Sequence, residues 1–65
     1  MKSKISSLRL ERRVTQEELA DAVNVTRQTI ISLESGRYNA SLMLAHKIAS
    51  FFGKTIEEVF IFEEE

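Results

Sequence analysis

The sequence predicts an all-α fold, on three observations. Pro is absent and Gly occurs only at Gly36 and Gly53 in 65 residues. That is too few turn signals to bound the strands of a β fold. Apolar residues recur three and four apart, the period of a helix with one buried face. Small hydroxyl residues, Thr15, Thr26, Ser41 and Thr55, stand just ahead of such periodic segments, where they accept from free backbone N–H groups at a helix start.

The elements follow in order. Ile5 and Leu8 open a first helix that ends near Arg12 or Arg13. Thr15-Gln16-Glu17-Glu18 has the S/T-x-x-E form of a capping box, and Val14 and Leu19 have the spacing of a hydrophobic staple. A second helix then runs from Gln16 to about Val23, with Leu19, Ala20 and Val23 on one face. Asn24 tolerates the left-handed backbone that ends helices. Thr26 caps a third helix that carries Ile30 and Leu33 and stops at Gly36. Arg37 to Ala40 form a short loop. Ser41 caps a fourth helix, expected to turn Leu42, Leu44, Ala45, Ile48, Ala49 and Phe52 inward, and Gly53 ends it. Thr55-Ile56-Glu57-Glu58 is a second capping box and starts a short fifth helix. Phe60-Ile61-Phe62 leads into Glu63, Glu64 and Glu65.

At 65 residues and 7.5 kDa the expected organisation is one domain over 1–65. A chain this short buries only about 60% of its unfolded surface, so small folds need a reinforcement. With no Cys and a single His, His46, disulfides and zinc sites are excluded. Regular helix packing and oligomerisation remain. Val59-Phe60-Ile61-Phe62 is the longest strongly apolar run, far below the ~20 residues of a membrane span. No signal peptide is visible, and the expected location is the cytoplasm. The net charge is −1, but it is unevenly spread. Lys2, Lys4, Arg9, Arg12 and Arg13 face only Glu11 in the first thirteen residues, while the other end is acidic. Such asymmetry suggests an anionic partner at the basic end.

Residues 16–35 form a unit: a helix, a turn of about two residues and a second helix. Small Ala20 lets two steeply crossed helices approach, and Asn24 suits the turn. These are the requirements of a helix-turn-helix, which presents its second helix to a DNA major groove. With these residues in place, the chain resembles the Cro/repressor-type, or Xre-family, helix-turn-helix regulators. The resemblance rests on Leu8-Arg9, Thr15 to Ala20, Val25 to Ile30, Leu33 to Asn39 and Leu44 to Ala49, in that order and spacing. Ile56 to Phe60 extends it. It implies a compact five-helix, lambda-repressor-like DNA-binding domain with the helix-turn-helix at helices 2 and 3. Asn24 stands where the family usually has Gly, Arg13 where Gly or Asn often ends helix 1, and Ala40 where Pro is frequent.

The resemblance implies Arg27, Gln28 and Ser32 as base readers. Arg suits guanine O6/N7 and Gln suits adenine N6/N7. Ile31 on the same side either meets a thymine methyl or packs at the core edge. Gln16, at the start of helix 2, is expected to clamp a phosphate. Thr26, Ser35, Arg37, Tyr38 and Asn39 flank helix 3 as further phosphate contacts. The family pairs the Arg of helix 1 with the Glu ending helix 3, here Arg9 and Glu34, and Arg9 is also expected to reach a phosphate. Lone His46 and the Ser residues make no catalytic set. The Glu17/Glu18 and Glu57/Glu58 pairs suit capping and the helix dipole. No enzyme activity, cofactor or small-molecule effector is expected.

The expected partners are double-stranded DNA and a second copy of the chain. Val59, Phe60, Ile61 and Phe62 are expected to form the homodimer interface, with Leu10 another exposed apolar residue. The function expected is a sequence-specific regulator, in the first place a repressor on a palindromic operator. The alternative is an antitoxin-type protein-binding module that also controls its own operon.

Overall fold

The computed structural model describes residues 1–62. The order is strand β1 (Lys2–Ser3), helices α1 (Ile5–Glu11), α2 (Gln16–Ala22), α3 (Arg27–Glu34), α4 (Leu42–Phe51) and α5 (Ile56–Val59), then strand β2 (Phe60–Ile61). Helix starts follow the cap chemistry of the sequence. Thr15 Oγ1 accepts from Glu18 N at 3.0 Å, and Glu18 Oε1 accepts from Thr15 N at 2.8 Å. Thr55 and Glu58 repeat this box at 3.2 and 2.8 Å. Thr26 and Ser41 take Thr29 N and Leu44 N at 3.3 and 3.2 Å. The Thr55 N–H bond holds the exposed Glu58 carboxyl below its ordinary value. Its contribution is therefore present above the usual Glu range and is lost as pH falls through the lowered value.

The helix ends share one geometry. Arg13, Asn24, Gly36 and Gly53 have φ of 58°, 61°, 82° and 66°. Each lies just past the last turn of α1, α2, α3 and α4. Each donates its N–H back to the turn before it, and the next residue donates further back: Val14 to Arg9 O, Val25 to Ala20 O, Arg37 to Ser32 O and Lys54 to Ala49 O. This is the Schellman ending, which satisfies carbonyls that a helix terminus leaves free. Gly accepts a positive φ at no steric cost and Asn at little. Arg13 carries the full penalty of an L side chain.

The core gathers from every helix. Ile5, Leu19, Ile30, Leu33, Ile48, Phe52, Val59 and Phe60 are its largest fully buried side chains. Ala20 is buried among them, on the helix that packs against α3. Arg12 fastens α1 to the end of α4: Nη2 donates to Phe52 O at 2.6 Å and the guanidinium lies 5.5 Å from the Phe52 ring centroid.

Three expectations need correction. The two chain ends pair as antiparallel strands, with Lys2 opposite Ile61 and Ser3 opposite Phe60, and Lys4 N donates to Val59 O at 2.7 Å. Pairs of two residues carry no periodic signal, so periodicity alone missed them. The tail was expected to be one interface, but Val59 and Phe60 are buried in the chain's own core. Phe60 adopts extended backbone straight after α5, and alternation then turns Phe60 inward and Ile61 outward. Ile61 and Phe62 stay 37% and 59% exposed. Leu42, expected to face inward, is exposed: it shares the helix face of Ala45 and Ala49, but as the first residue of α4 it stands beyond the buried stretch of that face.

Two stability outcomes follow. Phe60→Ala costs about 3–5 kcal/mol, as for a buried aromatic, whereas Phe62→Ala changes stability by less than about 0.5 kcal/mol; urea titration of both variants separates core from tail. Arg13→Gly removes a left-handed penalty of about 1–2 kcal/mol and adds a chain-entropy cost of about 0.5–1 kcal/mol. Its melting temperature rises by a few degrees, and by more than that of Asn24→Gly.

Candidate nucleic-acid interface

The placement of α3 is set by what it buries. Ile30 and Leu33 point into the core. At about 100° per residue, the opposite side is centred on Gln28 and Ser35, with Arg27 and Ile31 to one flank and Ser32 to the other. Arg27, Gln28 and Ser35 are exposed, and Ile31 and Ser32 are half-buried. The base-reading set inferred from sequence therefore lies on one outward surface. Ile31 is at its edge, partly against the protein.

Open clefts run along both flanks of α3. One is lined by Arg9, Thr15, Gln16, Glu17 and Arg27. The other is lined by Thr26, Gln28, Thr29, Ser32, Arg37 and Tyr38. A helix inserted in a major groove has a phosphate strand on each side, and polar clefts with Arg27 on one flank and Arg37 on the other suit that arrangement, Glu17 being the one carboxylate in their lining. Gln16, Thr26, Arg37 and Tyr38, which the sequence reading assigned to phosphates, line these clefts. Asn39 is exposed on the same loop but lines neither cleft. Ser35 is exposed, and its hydroxyl already donates to Ser32 O at 2.9 Å.

Thr29 is a lining residue that the sequence reading missed. Its hydroxyl lies 3.1 Å from that of Thr26. The signal was available: Thr29 is one turn after the cap, so the two Thr side chains stack on one flank.

Beneath the outward face lies a polar knot. Arg9 Nε donates to Glu34 Oε2 at 2.7 Å and Arg9 Nη2 to Glu34 Oε1 at 3.2 Å. Arg9 Nη1 donates to Val14 O at 3.0 Å, and Gln16 Nε2 to Glu34 Oε1 at 3.0 Å. The Arg9 and Glu34 side chains are only 12% and 10% exposed. The expected ion pair is present, and it is bidentate. It also engages Gln16, which sequence reasoning assigned to phosphate alone. Each terminal nitrogen of Arg9 makes one of its two possible bonds, and Arg9 also lines the first cleft.

Geometry of this kind defines a class: a helix-turn-helix protein with an unobstructed outer helix face and polar, cationic clefts beside it. Residues 5–59 match the helix-turn-helix family. An uncharacterized HTH-type transcriptional regulator of Methanocaldococcus jannaschii is 51% identical over 65 residues, covering 100% of this chain and 98% of the relative. The cryptic phage CTXphi transcriptional repressor RstR of Vibrio cholerae is 39% identical over 57 residues, covering 88% of this chain and 51% of the relative. Among solved structures, the clp gene regulator ClgR from Corynebacterium glutamicum superposes with a TM-score of 0.77 at 30% identity. That match covers 83% of this chain and 57% of the solved one. The chain belongs to the helix-turn-helix family of transcriptional regulators, DNA-binding proteins without an enzymatic role.

Arg9→Ala strands the Glu34 carboxylate and Gln16 amide in a largely dry site. The variant loses about 3 kcal/mol of stability, as when one partner of a buried pair is removed. Arg9→Lys recovers only part of this, because an ammonium cannot make the two-pronged contact. Urea midpoints for both variants are the check, and an unchanged midpoint for Arg9→Ala refutes the role given to the pair.

Proposed function

We propose that this chain is a sequence-specific repressor that binds a palindromic operator in double-stranded DNA as a homodimer. The observation that carries the reading is the outward surface of α3, with Arg27, Gln28 and Ser32 between two polar clefts. Arg27 and Gln28 supply the side-chain chemistry for guanine and adenine edges, and Ile31 supplies a methyl-bearing contact for thymine. Arg9, Gln16, Thr26, Ser35, Arg37, Tyr38 and Asn39 are assigned to the phosphates on either side. The likeness to a phage repressor supports repression as the outcome. Residues 1–65 act as one DNA-binding domain in this reading, with the reading unit at 16–35. No helix among the described residues is long and apolar enough to cross a membrane.

Selection of bound duplexes from a random pool tests the reading. The expected result is a palindromic consensus; failure to enrich any site, with no binding to DNA at low salt, overturns it. On the selected site, Gln28→Ala costs about 1–3 kcal/mol and relaxes preference at one base pair. Arg37→Ala weakens all sequences alike and lowers the salt slope by about 1. Competition binding at several salt concentrations distinguishes these two outcomes.

A further inference from the structure

Arg13 sits on a strained backbone, and its side chain does nothing within the fold. Its φ is 58°, a left-handed conformation that is costly for an L side chain and free of that cost for Gly. The ending of α1 does not need the side chain. Arg13 N donates to Leu10 O at 3.2 Å and Val14 N to Arg9 O at 2.9 Å, and both bonds are main-chain. The residue is exposed. Among the described residues its guanidinium has no hydrogen-bond, ion-pair or ring partner. The two arginines before it are used inside the molecule: Arg9 holds Glu34, and Arg12 donates to Phe52 O. Strain with nothing in the chain to account for it marks a position used outside the chain.

We propose that Arg13 contacts a backbone phosphate of duplex DNA, on the flank of α3 beside Gln16. The inference rests on the assignment of that flank to phosphates under the proposed function, and it adds a cation there that no earlier assignment includes. Position is the first argument. Val14 O accepts from Arg9 Nη1 at 3.0 Å, so the turn from α1 to α2 is fastened to a residue that lines the cleft. Thr15 and Gln16, next along the chain, line it too. Arg13 precedes Thr15 by two residues, a span of at most about 7 Å, and so stands at the rim.

Charge is the second argument. Glu34 neutralises Arg9, and Glu17 shares the lining with Arg27, so the cations and carboxylates of this flank balance. The opposite cleft keeps the charge of Arg37 with no carboxylate in its lining. A guanidinium at the rim restores one net positive charge to the first flank and brings the two level. Arg is also the cation best matched to a phosphate, through two parallel N–H bonds.

The test uses a labelled duplex of mixed sequence, about 20 base pairs long, at several salt concentrations. It needs no operator, so it does not depend on a palindromic site. Arg13→Gln keeps an L side chain on the same backbone and removes the charge. It is expected to melt like the wild type, to bind about five- to ten-fold more weakly near 0.1 M salt and to lower the salt slope by about 1. Arg13→Lys is expected to keep the slope. Arg13→Gly is expected to melt higher yet bind more weakly, a divergence that a purely structural role does not produce. Lys47→Gln removes the same charge from an exposed position on α4, outside both clefts, and is expected to leave the slope unchanged. An Arg13→Gln slope equal to the wild type, while Arg37→Ala lowers it, overturns the proposal alone. An equal fall for Lys47→Gln also overturns it, since net charge then accounts for the loss. Unchanged slopes for both Arg13→Gln and Arg37→Ala overturn the phosphate reading of the clefts along with it.

Discussion

Glu34 is the residue on which the interface depends. It ends α3, and its carboxylate takes hydrogen bonds from Arg9 of α1 and Gln16 of α2. A single acceptor pair thereby ties three helices together at the edge of the outward α3 face. The apolar core fixes the distance between α2 and α3, but apolar contact is not directional. Burial of Ile30 and Leu33 sets the rotation of α3, and the bidentate pairing with Arg, being directional, locks it there. That rotation decides whether Gln28 and Ser32 face outward together. The knot also positions Gln16 at the head of α2, beside the first cleft. Folding and the presentation of the outward α3 face are thus coupled through one largely buried carboxylate.

The second constraint is size. Helices of four to ten residues are too short to persist alone, because nucleation is costly and a large share of their backbone groups lie at ends. The chain answers with chemistry at both ends. Hydroxyl caps start α2, α3, α4 and α5, and left-handed endings close α1 to α4. Four residues join α1 to α2, α2 to α3 and α4 to α5, and seven join α3 to α4, so little length is spent on loops. Pairing of the two chain ends completes the scheme. The Met1 ammonium donates to Gly36 O at 2.9 Å, and β1 lies on β2, so the termini are fastened to the end of α3 and to each other. The exposed sides of α3 and the clefts beside it are what this frame leaves free.

Much of this was legible in the residues. Caps act over three positions, so Thr15 with Glu18 and Thr55 with Glu58 announced two helix starts without tertiary information. The left-handed turn at Asn24 and the buried Ala20 followed from local backbone preference and from the need for close helix approach. The outward face of α3 followed from Ile30 and Leu33, since two buried positions set the helix phase. The Arg9 and Glu34 pair was reached through resemblance, because no local pattern links residues 25 positions apart. Thr29 was within reach of the same periodicity and was overlooked because its cap partner Thr26 drew the assignment.

What the sequence determined by itself was therefore everything whose cause lies within one helical turn: starts, stops, the apolar phase of each helix and the helix-turn-helix at 16–35. What only the tertiary structure decided was which apolar residues lose contact with water. Val59, Phe60, Ile61 and Phe62 form one continuous apolar run, and their composition does not distinguish them. Val59 is buried as the last residue of α5, the pairing of Lys2 and Ser3 with Ile61 and Phe60 turns Phe60 inward and Ile61 outward, and Phe62 stays exposed. Leu42 and Leu44 are the same residue type two positions apart on one helix, yet one is exposed and the other buried. Burial is a property of the neighbours that close over a side chain, and those neighbours come from the far end of the chain.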